Sequence, residues 1–432
     1  MFKKSGEVLG TVRAIRSGKK FTFLQVGYGD SDVQIVCASS LQEIKELTIG
    51  SFVSVLGTKK ELPQGVYSTQ DFEIVDAKVE ILSKGDPDVI SICPPGASAE
   101  VKLDHRLYYF RDPSFADVLR LSDILCQSFR SFFQKTKCVE VLPPSFTGVE
   151  CEGGATLFKL DHPGKTMDKP MSAYLTQSSQ FALEYLLPSL GDCYCIAPSY
   201  RAEHSHTRRH LTEFTHVEAE WGGIKTFDDH LGKLKEMVQD VVADFLVRGE
   251  RYLKRLGKYE RVQSLVEKTK HIEILTHFDA IKKCRELKID RPDGKPFEDR
   301  DDIPEMQERK LIDTLDKIIF LVKFPKEFKS FYMGLDPSDE SYVLGCDVEV
   351  PGVGEIIGSG VRESSYDRLL SRLVESKLKP EDYKDYLELR RSGFCQTSGM
   401  GLGLGRMLCW LLEIQSIRDV VAFPRFPGYL MP

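Results

Sequence analysis

No stretch of the 432 residues approaches 18 uninterrupted apolar positions, so no segment is expected to span a membrane as a helix. The opening residues, MFKKSGEVLGTVRAIRSGKK, lack an apolar core of signal-peptide length and are too poor in serine for a transit peptide. Eleven cysteines are scattered without zinc-type or redox-type pairs, and Cys193 and Cys195 stand one residue apart, as on a strand. Free thiols in a reducing cytoplasm are the expectation. No GxxxxGK[ST] phosphate loop occurs, and no internal repeat. Hydrophobic content of 41% and charged content of 29% exclude wholesale disorder, and the length suggests two or three domains.

A net charge of −6 gives no overall signature of a polyanion binder, yet it hides an asymmetry. Residues 1–29 carry Lys3, Lys4, Arg13, Arg16, Lys19 and Lys20 against Glu7 alone. Such a face could steer a polyanion, or it could be an ordinary solvated charge run.

Between residues 8 and 83 the pattern is one of short strands: VLGTVRAIR, KFTFLQVG, DVQIVCAS, FVSVLGTKKEL and FEIVDAKVEIL. Glycines punctuate them, which predicts a small five-stranded barrel of oligonucleotide-binding type over 1–88. A Pro/Gly-marked hinge over 89–112 is expected next, then a larger unit over 113–432 with a helical, polar insertion at about 223–330. In that unit Val118, Leu121, Leu125, Phe129 and Phe132 fall on one helical stripe of residues 116–135, CVEVL reads as a strand, and a second amphipathic helix is expected over 227–249. Strands clustered with helices around them predict an α+β fold on an antiparallel sheet flanked by helices.

Residues 199–220, SYRAEHSHTRRHLTEFTHVEAE, hold four of the nine histidines, three arginines and four glutamates. They read as two strands joined by a charged loop at 204–211, with Arg201 and Glu203 on one face of the first strand. Phe214, His216, Glu218 and Glu220 share one face of the second by period two. A guanidinium fork suits phosphate, Glu203 can accept from an exocyclic amine, and Phe214 offers a stacking surface. The combination reads as a nucleoside triphosphate site; a surface hairpin laced with ion pairs is the alternative. Further on, Gly399, Gly401, Gly403 and Gly405 alternate ahead of Arg406, where a helix begins. No βαβ context supports a dinucleotide fingerprint there; either a phosphate seat or close helix packing remains. Asp347, Glu349 and Glu355 offer carboxylates for a nucleotide-borne Mg²⁺, or are solvated acids, and Arg362 follows in a Gly/Ser-rich strand.

A helix and strand ending in Pro144, then Tyr-Arg-x-Glu with a charged loop and Phe, then a Gly-rich run ending in Arg resemble motifs 1, 2 and 3 of the class II aminoacyl-tRNA synthetases. The resemblance covers essentially the whole chain. The N-terminal barrel points to the aspartate, asparagine and lysine subgroup. VEVLPPSF, EGGATLF, YLTQSSQ, DIPE, FPKEFKSFYM and VGEIIG resemble the cytosolic asparaginyl enzymes of eukaryotes.

The resemblance implies ATP, L-asparagine and tRNA(Asn) as ligands, Mg²⁺ carried with ATP, a homodimer through motif 1 around Pro144, and a cytoplasmic location. By position it implies catalytic roles for Arg201, Glu203 and Arg406. ATP would be held by Arg201, Ala202, Glu203, Arg209, His210, Leu211, Phe214, Glu355, Gly403, Leu404, Gly405 and Arg406. Asparagine would be held by Glu152, Gln177, Ser178, Gln180, Glu184, Arg201 and Arg362, and the metal by Asp347 and Glu355. Phe23 and Gln34 match positions that stack on and read an anticodon base.

Aspartate enzymes typically carry Lys and Gln where this chain has Leu183 and Glu184. Glu184 could accept from an amide and would repel a carboxylate, a discrimination on the order of 10⁴-fold for buried polar recognition. Asparagine is therefore the expected amino acid. The chain departs from the resembled pattern at Gly405, where Glu or Asp is usual. It departs again at Gln396, Thr397 and Ser398, where a histidine-bearing PHGG or PHAG is usual, and at DYKDYLEL, which replaces an aromatic-rich stretch. An aspartyl-type or non-discriminating synthetase and a non-catalytic tRNA-binding relative stay as alternatives.

Overall fold

A computed structural model describes residues 7–62, 72–94, 96–151, 157–163, 171–203, 207–393 and 395–431. Lys3, Lys4, Glu152, His204 and His206 lie outside the described residues. The chain divides into two compact units, Met1–Pro113 and Ser114–Pro432. The stretch expected to be a hinge forms three short helices, Val89–Ile92, Ala99–Asp104 and Arg106–Tyr109, and belongs to the first unit.

In that unit β1 (Glu7–Ser17), β2 (Phe21–Tyr28), β3 (Ser31–Ala38), β4 (Phe52–Glu61) and β5 (Phe72–Ser83) close into a barrel in the order β1-β2-β3-β5-β4. The alternation read from the sequence decides the faces. Leu24, Val26, Val33 and Ile35 fill the interior with no exposure, and the residues between them face outward. All five strands stand where the sequence pattern placed them.

All but the first residue of α1 (Pro113–Lys135) belongs to the second unit, and its proline stands at the first helical position, where a missing N–H costs nothing. Its stripe of Val118, Leu121, Leu125, Phe129 and Phe132 is buried as expected. The predicted strand CVEVL shrinks to β6 (Val139–Glu140), stopped by Pro143 and Pro144. After α2 (Gln180–Leu190) come β7 (Cys193–Tyr200) and β8 (Glu213–Gly222), antiparallel partners, with Cys193 opposite Glu220 and Tyr200 opposite Glu213.

The helix α3 (Phe227–Arg255) is longer than the pattern suggested and starts in a capping box made by Thr226 and Asp229. β9 (Glu273–Thr276), α4 (Glu305–Leu315), β10 (Ile319–Pro325), β11 (Asp339–Val350) and β12 (Gly354–Val361) follow. Last come α5 (Lys384–Arg391), β13 (Thr397–Gly403) and α6 (Leu404–Leu412).

The main sheet runs β9-β10-β11-β12-β13-β8-β7-β6, with Leu335–Asp336 paired to β11 as a ninth strand. Its two end pairs are parallel and the rest antiparallel. The expected insertion at 223–330 is therefore not set apart. Met237, Val241, Val242 and Phe245 of α3 lie in the main core, and β9 and β10 extend the main sheet. Residues 285–305 are described and end in α4.

Candidate functional site

The antiparallel sheet presents one face to a cavity of about 280 Å³. Period two on β8 builds the wall: Val217, Ala219 and Trp221 enter the core, while His216, Glu218 and Glu220 turn the other way and are buried all the same. Neighbouring β13 carries glycine at 399, 401 and 403, which leaves room above the sheet where larger side chains would fill it.

One end of the cavity is cationic and aromatic. Arg201 lies over the Phe214 ring, 5.4 Å from its centroid, and His216 stands 5.1 Å from the same ring, all three in the cavity wall. The sequence pattern set Arg201 and Glu203 on a strand face. In fact β7 ends at Tyr200 and both sit in the loop, with Arg201 N donating to Thr212 O at 3.0 Å. Arg209 is paired with Glu305 at 3.1 Å, and Arg406 Nη1 donates to Glu355 O at 3.1 Å, 3.5 Å from the Glu355 carboxylate. His210 and Leu211 also face the cavity, and the Thr207 hydroxyl meets His210 Nδ1. Gly403, Leu404 and Gly405 form the turn into α6 beneath Arg406, and Ala202 lies between Arg201 and Glu203 without reaching the cavity wall.

Asp347 of β11 and Glu355 of β12 stand on adjacent strands. Asp347 Oδ2 accepts from Lys329, and Asp347 Oδ1 is buried without a partner. A Cβ built on Gly358 would lie 3.0 Å from Glu355 Oε1 and 3.9 Å from Asp347 Oδ1, so the two oxygens face one spot. Burial pushes Asp347 up to about 6 in spite of Lys329. Burial acts on Glu355 in the same sense, but Arg406, Lys329, Arg209 and Arg201 outweigh it and hold the group below its ordinary range.

The other end is a buried charge network. Glu220 takes Arg362 with both carboxylate oxygens, Nε at 3.2 Å and Nη2 on the second oxygen. Burial alone would depress the Arg362 guanidinium; Glu220 reverses this and raises it above the ordinary range. A Cβ on Gly399 would strike the Glu220 carboxylate at 1.9 Å, so only glycine admits the pair. Arg362 is anchored through its backbone too: its N–H reaches Thr397 O at 2.8 Å and its carbonyl accepts from Gln396, whose Oε1 takes the Ser364 hydroxyl at 3.0 Å. Thr397 and Ser398 are buried on β13, so the segment that departs from the resembled pattern serves as a brace for Arg362.

Glu184 does not line the cavity. It is fully buried, and Oε1 accepts from Gln180 at 2.9 Å and from the Tyr386 hydroxyl at 2.8 Å. Oε2 accepts from Arg390 at 2.6 Å, and Arg390 Nε donates to Glu363 O at 2.9 Å. Arg362 Nε stays 4.0 Å from Glu184 Oε1. Gln180 and Ser178 line the cavity; Gln177 is buried behind it, accepting from Cys151 N at 3.3 Å. The role expected of Glu152 lies outside the described residues.

Glu218, set on the same strand face as Phe214 by period two, has no role in the sequence reading. It lines the cavity and is held by the Ser178 hydroxyl and by Ser179 N at 2.8 Å, with His216 Nδ1 3.5 Å away. Glu220 likewise has no role in the sequence reading and lies behind the cavity on Arg362, whereas Lys329 and Tyr332 line the cavity with no signal in the sequence. On the barrel, Phe23 and Gln34 face outward on neighbouring strands, two residues off register, and Gln34 Nε2 is fixed on Glu73 at 3.0 Å.

Residues 98–427 match the family described as tRNA synthetases class II (D, K and N). Cytoplasmic asparagine--tRNA ligase of Homo sapiens is 36% identical over 436 residues, covering 97% of this chain and 76% of that protein. The crystal structure of asparaginyl-tRNA synthetase from Pyrococcus horikoshii complexed with asparaginyl-adenylate aligns at 33% identity with a TM-score of 0.87, covering 99% of this chain and 96% of that one. The Entamoeba histolytica asparaginyl-tRNA synthetase, also in complex with asparaginyl-adenylate, aligns at 29% with a TM-score of 0.85, covering 99% and 96%.

Proposed function

From the premise that this chain belongs to the class II tRNA synthetases of the D, K and N type, we propose that it joins L-asparagine to tRNA(Asn) through an asparaginyl-adenylate, releasing pyrophosphate and then AMP. The observation that carries the reading is one cavity with Arg201, Phe214 and Arg406 at one end and the buried Glu220–Arg362 pair behind the other.

Phe214 stacks on adenine, Glu203 accepts from its exocyclic amine, and Arg201, Arg209 and Arg406 take the phosphates. Glu218, a carboxylate in the wall, receives the ammonium of asparagine, alongside any share held by Glu152. At the far end the Arg362 guanidinium donates to the side-chain carbonyl oxygen. Glu220 already holds that guanidinium, so a substrate carboxylate there would compete with a buried anion, while a neutral amide does not. Specificity thus rests on this pair and not on direct contact with Glu184, whose oxygens are held by Gln180, Tyr386 and Arg390.

The asparagine carboxylate oxygen attacks the α-phosphorus in line and the bond to the bridging oxygen of pyrophosphate breaks. Arg201 and Arg406 are oriented beforehand toward the charge that develops. The 3′-terminal ribose hydroxyl of tRNA then attacks the carbonyl carbon and AMP departs. No protein nucleophile is required. Asp347 and Glu355 fit a hard divalent cation such as Mg²⁺ carried by ATP, since Asp347 Oδ1 is buried without a partner and aims where Glu355 Oε1 aims. Bound there, Mg²⁺ would neutralise phosphate charge. Phe23 and Gln34 on the barrel bind an anticodon base. Leu142 and Phe146 are exposed on either side of Pro144, which supports a homodimer through this edge. No helix among the described residues is long and apolar enough to cross a membrane, and we assign the protein to the cytoplasm, as its relatives are named.

The test is ATP–pyrophosphate exchange with asparagine, aspartate and lysine in parallel. Exchange with asparagine alone is expected; exchange with aspartate at comparable efficiency would overturn the specificity, and none with any of the three would overturn the reaction.

A further inference from the structure

Behind the phosphate end lies a second cavity of about 200 Å³, in the same unit. Arg209, Arg406 and Ile417 line both cavities, so two guanidinium groups and one apolar side chain form the partition between them. Arg208, Arg309 and the Thr207 hydroxyl add to the second cavity, with Glu305 the one acid among its lining residues. The cations are fixed unequally. Arg209 is paired with Glu305 at 3.1 Å, while Arg309 donates to Gly352 O at 2.8 Å and lies 3.6 Å from Asp313. Arg208 is exposed and makes no ion pair with any described residue, and its backbone carbonyl accepts from Ile417 N at 2.9 Å.

We propose that this rear cavity is a product site for inorganic pyrophosphate, occupied after the α-phosphorus bond breaks and before release to solvent. The inference rests on the adenylate-forming reading above. Its chemistry follows from charge and placement. A compact polyanion leaving Arg209 and Arg406 meets Arg309 and then Arg208, so each step away from the reaction centre exchanges one guanidinium contact for another. An ATP molecule anchored by adenine on Phe214 does not need the rear arginines, because its γ-phosphate already lies at the partition. A site filled only by the separated product lowers the free energy of bound pyrophosphate without touching the transition state. Its removal therefore weakens pyrophosphate and leaves the forward efficiency with ATP in place.

The experiment compares R208A and R309A with the unmodified chain in asparagine-dependent exchange, with pyrophosphate and ATP each varied. The expected result is a pyrophosphate KM raised roughly tenfold by either change, a maximal exchange rate raised in step, and kcat/KM for ATP within about twofold. Weaker inhibition of tRNA charging by added pyrophosphate should accompany it. An unchanged pyrophosphate KM in both variants overturns the proposal. So does a parallel loss in kcat/KM for ATP, which would place these arginines in the binding of ATP itself. If R309A does not fold, R208A decides, because its side chain makes no ion pair with the described residues. Absence of exchange in the unmodified chain refutes the adenylate-forming reading instead, so the two failures are distinguishable.

Discussion

Arg362 and Glu220 meet as a bidentate ion pair, Nε 3.2 Å from one carboxylate oxygen and Nη2 on the other, with both side chains at most 5% exposed. A desolvated pair of this kind is costly to break from one side, about 3–5 kcal/mol, because the remaining charge is stranded. It also leaves the guanidinium with donors to spare but without an uncompensated positive charge, which suits a neutral amide better than a carboxylate.

Glu220→Gln tests this directly. Removal of the carboxylate charge keeps the volume and leaves Arg362 with a net charge to satisfy. We expect kcat/KM for asparagine to fall at least a hundredfold and the asparagine-to-aspartate ratio to narrow, together with a lower Tm. A variant that retains full discrimination in the exchange assay would remove Glu220 from the specificity argument.

Glu184→Gln should behave differently. The sequence alone put Glu184 against the substrate, whereas its oxygens are occupied by Gln180, Tyr386 and Arg390. Neutralising it strands Arg390 in the core, so the expected loss is about 3 kcal/mol of stability, seen as a fall in urea midpoint. Tyr386→Phe removes one hydrogen bond and should cost about 1–1.5 kcal/mol. Both should raise the asparagine KM through Arg362 without conferring exchange with aspartate. A switch to aspartate in E184Q would restore the direct-contact reading.

The contrast between these two glutamates explains what was legible. The barrel could be read strand by strand because alternation is local: Val33 and Ile35 face inward whatever lies elsewhere in the chain. Arg201, Phe214 and Arg406 could be named from compact motifs, and the fold brings all three to one cavity. Glu184 was misplaced because its partners Tyr386 and Arg390 stand 202 and 206 residues away, and no periodicity reports them. Similarly, polar composition made 223–330 look like an insertion, whereas β9 pairs in parallel with β10 and β10 pairs with β11, relationships between separated segments that no local window reports.

Gly405 replaces an acidic residue in the resembled pattern, and the obvious repair should fail. A Cβ at this position would lie 2.8 Å from Ile417 Cγ1, closer than real contacts come, and 3.0 Å from Cδ1, so the Ile417 side chain would have to shift. Gly405→Glu is therefore expected to push the Ile417 segment off α6 and to reduce kcat for exchange through displacement of Arg406. The overpacking should cost about 1–3 kcal/mol. Ile417→Ala in the same chain should recover part of the loss, a double-mutant comparison that a purely electrostatic role for residue 405 would not satisfy.

Two buried histidines set the acid side of stability. His230 is completely buried and joined to the Ser359 hydroxyl at 3.0 Å; burial, then Arg362 and Lys233, push it down to about 3. His277 is pushed down to about 4 by burial, then by Lys329 and Arg300. Both are neutral in the folded chain and take up protons once unfolded. Their contribution is thus complete above an unfolded value of about 6.5, and it is lost as the pH falls below that value. Each should cost about 1.4 kcal/mol per pH unit, continuing down to its folded value. Thermal unfolding from pH 7 to pH 5 should show Tm falling faster for the unmodified chain than for His230→Asn, which cannot titrate. Because H230N also loses packing against Trp221 and Phe227, its Tm will start lower, and the decisive quantity is the slope. Equal slopes would mean that His230 is protonated in the folded chain near neutral pH, and that the charge beside Arg362 is tolerated by an arrangement other than the one described.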